Sequence, residues 1–187
     1  AARRVNCINN VKQLALGCLN YESAQGELPY GRKYDIWDTY TWSQLILPYL
    51  EDNGIYELYW NLHDTGYART TPGPNGPIGD DVRLRQARHS FLSMQYCPSD
   101  VGPIGNELNT SSFGFMRGNY RGCTGTGDMY GLPTDSQGEI WGPGAFAVRR
   151  GQSVDPDAEV PTHGVSLRQI SDGTSKTLFL GEGLVPT

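Results

Sequence analysis

A helical pattern is already running when this chain begins. The opening stretch, AARRVNCINNVKQLALGCLNYES, places apolar residues at Val5, Ile8, Val11, Leu14, Ala15, Cys18 and Leu19, and steps of three and four mark one stripe of an amphipathic helix. Asn9, Asn10, Lys12, Gln13 and Asn20 fill the other side. A helix over residues 1–22 spans ~33 Å at 1.5 Å per residue, which is long for the first element of a small domain. Residues 1–4 offer no N-cap, because Ala and Arg suit a helix interior and cannot accept bonds from the first amides. The expectation is that the true helix start lies upstream of Ala1.

Beyond the helix the pattern breaks into short pieces. Gly26 is the expected stop and Pro29 prevents resumption. Thr41 is placed to cap a second helix through Trp42, Leu45, Ile46, Tyr49 and Leu50, and Pro48 should kink or divide it. Asn53-Gly54 reads as a turn before a short helical piece at Ile55, Tyr56, Leu58 and Tyr59. Residues 64–82 hold three Pro and four Gly without apolar periodicity, the composition of an exposed loop. Short apolar runs at 91–97, 113–122, 145–148 and 177–182 predict strands of an antiparallel sheet. Ser166 and Gln169 form a capping box for a one- or two-turn helix, with Gly173 at its stop.

Composition narrows the class. The 187 residues fit one domain, long enough to bury roughly two thirds of the unfolded surface. Twenty-four Gly and 12 Pro, with 11 Tyr, 5 Phe and 4 Trp, favour strands and turns over a helix bundle. The expected fold is α+β, a long N-terminal helix packed on an antiparallel sheet, with short extra helices and long loops. A net charge of -5 offers no electrostatic footprint for nucleic acid. The longest apolar run, LILPYL at 45–50, falls far short of the ~20 residues a membrane helix needs. Cys7, Cys18, Cys97 and Cys123 lack zinc-site spacing; their even number leans towards two disulfides and an exported protein, with buried free thiols the alternative.

No catalytic or cofactor constellation emerges. His63, His89 and His163 sit in polar contexts that read as surface or loop positions. Gly173 to Lys176 lacks the glycine spacing of a phosphate loop. Asp155, Asp157 and Glu159 alternate in the manner of calcium ligands, but the tight-turn glycine is missing and Pro156 stiffens the segment, so a solvated acidic loop is the better reading. Asn109-Thr110-Ser111 is a glycosylation tripeptide, weak evidence alone. Ten aromatic residues between Tyr30 and Tyr67 (Tyr30, Tyr34, Trp37, Tyr40, Trp42, Tyr49, Tyr56, Tyr59, Trp60 and Tyr67) supply core rings, above all Trp42 and Tyr49, and could also stack on sugars.

Six stretches carry a resemblance: the opening AARRVNCINNVKQLALGCLNYES, then LPYG, TWSQLILPYLEDNGIYE, QYCPSD, GNYRG and ISDGTSKTLFLGE. In this order they resemble a large bacterial family of pilin-like proteins with a prepilin-type N-terminal cleavage and methylation segment. That family is also labelled an extracellular solute-binding type of unknown function. The likeness covers Ala1 to about Glu182. It implies that Arg3 and Arg4 follow a strongly hydrophobic helix, matured by a prepilin peptidase and held in the bilayer before assembly. Residues 1–23 then form the lower half of a stalk helix and 24–187 a head, with Ala1 marking where the apolar half has been removed.

Two departures stand out: the second His and Asp-Gly motif common near the family's C-terminus is missing, and His163 with Asp172-Gly173 does not replace it. Cys7 and Cys97 match family motifs, whereas Cys18 and Cys123 look like additions, which implies pairings Cys7–Cys97 and Cys18–Cys123. Val5, Ile8, Val11, Leu14 and Leu19 are the expected anchors of helix to head. The implied function is a non-enzymatic pilin or pseudopilin subunit at the cell surface, without cofactor. Its partners would be copies of itself or related pilins, with a membrane anchor through the missing segment. A surface-displayed module binding a glycan or solute through the aromatic region 30–67 is the alternative.

Overall fold

A computed structural model of the chain describes residues 2–31, 40–60, 62, 81–106, 114–125, 144–146, 149–150 and 162–183. Helix α1, Ala2–Gln25, dominates. It stops at Gly26, whose φ of +79° is the left-handed conformation glycine adopts freely, and the Gly26 N–H donates to Glu22 O at 2.7 Å.

The buried face of α1 is the expected one only in part. Cys7, Leu14, Gly17 and Cys18 are buried, with Val11 and Tyr21 packed against the same cluster. Cys7, Val11, Leu14, Cys18 and Tyr21 repeat at steps of four and three and form the inner stripe. Of the expected anchors, Leu14 is fully buried and Val11 partly so, but Val5, Ile8 and Leu19 are 54%, 45% and 45% exposed. The apolar spacing of α1 holds two stripes, which sequence periodicity merges into one. Leu16, also exposed, joins Val5, Ile8 and Leu19 on the side roughly opposite the head, with Lys12 between them. Gly17 lets α1 approach closely: a Cβ there would sit 3.0 Å from Leu50 Cδ2.

Beyond α1 the described residues make three more short α-helices, α2 at Trp42–Leu45, α3 at Asn53–Tyr56 and α4 at Val82–His89. Pro48 divides the second helix as expected: α2 ends, Ile46 turns, and Leu47–Leu50 continue as a 3-10 turn with the proline in its opening positions. Asn53-Gly54 opens α3 instead of forming a turn. Helix α4 has no counterpart among the expected elements. Its N-cap is Asp81, fully buried, whose Oδ1 accepts from the Leu84 N–H at 2.9 Å and whose Oδ2 accepts from Trp60 Nε1 at 3.2 Å.

The strands are shorter and more scattered than expected, though the class is α+β. Among the described residues three antiparallel ladders form, each of two strands. Gly105–Asn106 (β1) pairs with Phe115–Met116 (β2), Tyr120–Gly122 (β3) with Leu180–Glu182 (β6), and Arg149–Arg150 (β4) with Thr162–His163 (β5). The run 91–97 is not a strand: Ser93–Gln95 closes a 3-10 turn. Ala145 and Phe146 lie in a turn, and both are buried. Leu167–Gln169 is a single 3-10 turn, where the Ser166 N–H donates to Gln169 Oε1 at 3.0 Å.

Two apolar clusters result. The first gathers the inner face of α1 with Leu28, Trp42, Ile46, Leu50, Tyr120 and Phe146. Phe146 stacks against Trp42 and Phe179 with centroids 5.4 and 4.7 Å apart, and it lies over Gly122, where a Cβ would meet the ring at 2.7 Å. The second joins α4 to the aromatic region through Tyr30, Tyr40, Leu47, Tyr59 and Leu84.

Candidate functional site

Cys7 and Cys97 are joined across 90 positions, with Cα atoms 5.3 Å apart, and the bond fastens α1 to the segment after the Ser93–Gln95 turn. Closing so long a loop stabilises by about 4–5 kcal/mol in the chain-entropy description. Cys18 and Cys123 are both free thiols, so the second expected bridge does not form. Cys18 instead fills the inner stripe, where burial pushes its thiol up to about 12. The Cys7 and Cys97 sulfurs and a Glu182 carboxylate oxygen lie within 4.8 Å of one another. Joined to each other, the sulfurs present no thiolate for a metal.

Beside the disulfide lies a polar knot to which sequence reading assigns no role. Asn119 is fully buried, and its Oδ1 accepts from the Cys97 N–H at 2.9 Å. Its Nδ2 donates to Asp100 Oδ2 and, at 3.0 Å, to Gly183 O. The Asn119 N–H reaches Gln95 O at 2.8 Å, and the Gly183 N–H returns to Asn119 O at 2.7 Å. One buried amide thus ties its own segment to residues 95–100 and to Gly183, just after β6. Helix α1 joins through Asn10, whose Nδ2 donates to Tyr96 O at 3.1 Å, although its position reads as the polar side.

The remaining sequence candidates stay apart. His89 closes α4, half-buried, beside a Ser90 whose hydroxyl donates to Gln86 O at 2.8 Å. His163 is exposed in β5, its Nδ1 3.5 Å from Glu27 Oε1. His63, Asn109-Thr110-Ser111 and Asp155, Asp157 and Glu159 fall outside the described residues, as do Tyr34, Trp37 and Tyr67. The other aromatics of region 30–67 are mainly core: Tyr30, Tyr40, Trp42 and Tyr59 are buried, and Tyr49, Tyr56 and Trp60 half-buried. No helix among the described residues is long and apolar enough to cross a membrane.

One cleft opens on this aromatic region, between α2, the end of α4 and the stretch Met116 to Arg121, with a volume of about 220 Å³. Thr41, Ser43 and Gln44 bring a hydroxyl and amide cluster to one wall, with Thr41 Oγ1 2.8 Å from Ser43 Oγ and 2.9 Å from Gln44 Oε1. Arg88, Arg117 and Arg121 supply cations, and Arg121 is pinned by bonds from its Nη1 to Gly118 O at 2.6 Å and Tyr120 O at 3.4 Å. Burial lowers the Arg88 guanidinium from its ordinary value, partly countered by Tyr59 and Tyr40. Gln95 also lines the cleft, 8% exposed, and its Nε2 is buried without a hydrogen-bond acceptor among the described residues. No sequence motif marks this site, because its residues come from four separate stretches.

A family model described as "Protein of unknown function (DUF1559)" matches residues 1–186. Neither the curated proteins nor the solved structures contain a match to the chain.

Proposed function

The chain belongs to this DUF1559 family, and from that premise we propose that it is a pilin-like structural subunit, displayed at the cell surface and not an enzyme. The supporting observation is the outer face of α1. Val5, Ile8, Leu16 and Leu19 are about half exposed on a 24-residue helix whose other face is clasped by the head. A lone helix gains nothing from a second apolar stripe; a helix laid beside copies of itself, or beside related pilins, buries both. Burying those four side chains against a neighbour would stabilise an assembly by a few kcal/mol at roughly 25 cal/mol per Å². The Cys7–Cys97 disulfide fits display outside the reducing cytosol. Anchorage before assembly would run through an apolar segment upstream of Ala1.

Two measurements test this. The reading frame upstream of Ala1 should encode a Gly followed by about 20 apolar residues, with a Glu near their beginning; an ordinary signal peptide with a cleavage site would overturn the reading. In cells, cysteine crosslinks introduced at Leu16 or Leu19 should join neighbouring subunits, and Ile8→Asp should abolish them. A binding role for the head is a second reading, favoured by the cleft over α2 and α4, and it can coexist with the first.

A further inference from the structure

Cys7 and Cys97 are brought together by more than their own bond. Asn119 Oδ1 accepts from the Cys97 N–H at 2.9 Å and the Asn119 N–H donates to Gln95 O at 2.8 Å, so a buried residue fixes the segment that carries Cys97. The same residue fixes the third group of the cluster. Its carbonyl accepts from the Gly183 N–H at 2.7 Å and its Nδ2 donates to Gly183 O at 3.0 Å, one position past Glu182. Glu182 is held again by the ladder of β3 with β6, opposite Tyr120. Helix α1 is tied to the same place through Asn10 Nδ2 on Tyr96 O at 3.1 Å and the Tyr120 hydroxyl on Cys7 O at 3.5 Å. None of these bonds passes through sulfur. Opening the disulfide therefore leaves two thiols and a carboxylate whose ligand atoms already lie within 4.8 Å of one another.

That donor set selects its ion. Calcium and magnesium seek six or more oxygens, and copper(I) is served by sulfur alone. Zinc accepts sulfur and oxygen in one tetrahedron, at about 2.3 Å to thiolate and about 2.1 Å to carboxylate. Two sulfurs on one zinc stand ~3.8 Å apart, a separation that side-chain rotation reaches from Cα atoms 5.3 Å apart. Ser99 serves both sulfurs, its N–H 3.4 Å from Cys97 Sγ and its Oγ 3.8 Å from Cys7 Sγ, and donors so placed favour thiolate over thiol. Both cysteines are buried, whereas Glu182 is exposed and marks the side from which an ion enters. We propose that the reduced chain binds one zinc ion through Cys7, Cys97 and Glu182, with water in the fourth position, so that the ion and the disulfide are alternative clasps of α1 on the head. The exchange balances. A dithiol reductant passes two electrons and two protons to the Cys7–Cys97 bond and closes to its own disulfide; zinc then displaces the two thiol protons to solvent. The zinc clasp belongs to the chain before oxidation, and it goes beyond the pilin reading without depending on it.

Zinc titration of the 187-residue chain, without oxygen and in a phosphine reductant, tests the site. The phosphine opens the disulfide by taking an oxygen from water, and it adds no competing thiol. The expected result is uptake of one equivalent with a Kd of about 1 μM or tighter, a raised melting temperature of the reduced chain, and, with cobalt(II) in place of zinc, a thiolate-to-metal absorption band. The oxidised chain should bind at least a hundredfold more weakly. Glu182→Gln, at an exposed position, should weaken binding tenfold or more while the melting temperature of the disulfide form is unchanged. Cys7→Ser should abolish binding and Cys123→Ser should leave it as it was. Unaltered affinity in Glu182→Gln, or a loss in Cys123→Ser, places the metal on other groups and overturns the proposal. Equal uptake by the oxidised chain, or none by the reduced one, overturns it too. If reduction alone unfolds the head, zinc should restore the native circular dichroism, and a chain that stays unfolded with zinc present counts against the site in the same way. Crosslinking through α1 decides the pilin reading separately, whichever way the titration falls.

Discussion

The two faces of α1 have nearly the same greasy composition and opposite fates. Inward, Cys7, Leu14 and Cys18 are sealed against Trp42, Ile46 and Phe146; outward, Val5, Ile8, Leu16 and Leu19 meet solvent. Hydrophobicity alone does not decide which stripe the head takes. Small residues and specific partners do: Gly17 admits Leu50, Asn10 reaches Tyr96 O, and Cys7 meets Cys97. Among the described residues the outer stripe has no such devices, and it is the face that the proposed assembly would use.

Substitutions that treat the faces alike sharpen the contrast, and the largest effect belongs to the inner one. Leu14→Asp places an unpaired charge in a fully buried site and should cost at least about 4 kcal/mol, most of the stability of an ordinary domain; circular dichroism should find it unfolded, and a wild-type melt would mean the inner face is misassigned. Reducing the disulfide, or Cys97→Ser, should cost about 2–5 kcal/mol in denaturant titration. Next comes alkaline pH. The Cys18 thiol is held up at about 12 from an ordinary 9.0 and Tyr21, also chiefly by burial, at about 12 from 10.0. Above pH 9 the unfolded chain sheds these protons while the folded chain keeps them, so their stabilising contribution, complete below pH 9, is lost as pH climbs towards 12. Stability against pH should fall across that window by up to about 1.4 kcal/mol per pH unit for the thiol, with melting temperature as the readout, and Cys18→Ala should flatten the slope.

Two smaller effects complete the series. At neutral pH a thiol reagent should label Cys123, which is partly exposed, and should reach Cys18 only after denaturant is added; mass spectrometry reads the order. Smallest for stability is the outer face, where Ile8→Asp or Leu16→Asp should move unfolding by no more than about 0.5 kcal/mol. A large loss there would show that the outer stripe is core after all.

How much of the molecule is legible in its sequence depends on the range of the interactions. Local signals suffice for the length of α1, the Gly26 stop, the division at Pro48 and the Ser166 to Gln169 box, each of which depends on residues a few positions apart. The inner face of α1 escapes periodicity because periodicity counts apolar side chains, and this stripe is completed by a glycine and by a cysteine whose partner is 90 positions away. Helix α4 is hidden beside a Pro- and Gly-rich run, though Asp81 before VRLRQARH is an N-cap signal. Apolar runs overstate the strands, since backbone groups that a wide sheet would pair are bonded by side chains such as Asn119 instead. The cleft and the knot are illegible for the same reason: their members meet only in the folded chain.

The position of the disulfide has a mechanical corollary. Cys7 lies about 7.5 Å along the helix from Ala2, at 1.5 Å per residue. Tension entering at that end would pass through a covalent link into Cys97 after less than two turns. The 89 residues enclosed between the two cysteines would carry little of the load, and shear along Leu14 and Cys18 would never be tested. A head clipped in this way resists being drawn off its helix, and a reducing environment would turn that firm grip into one that slips.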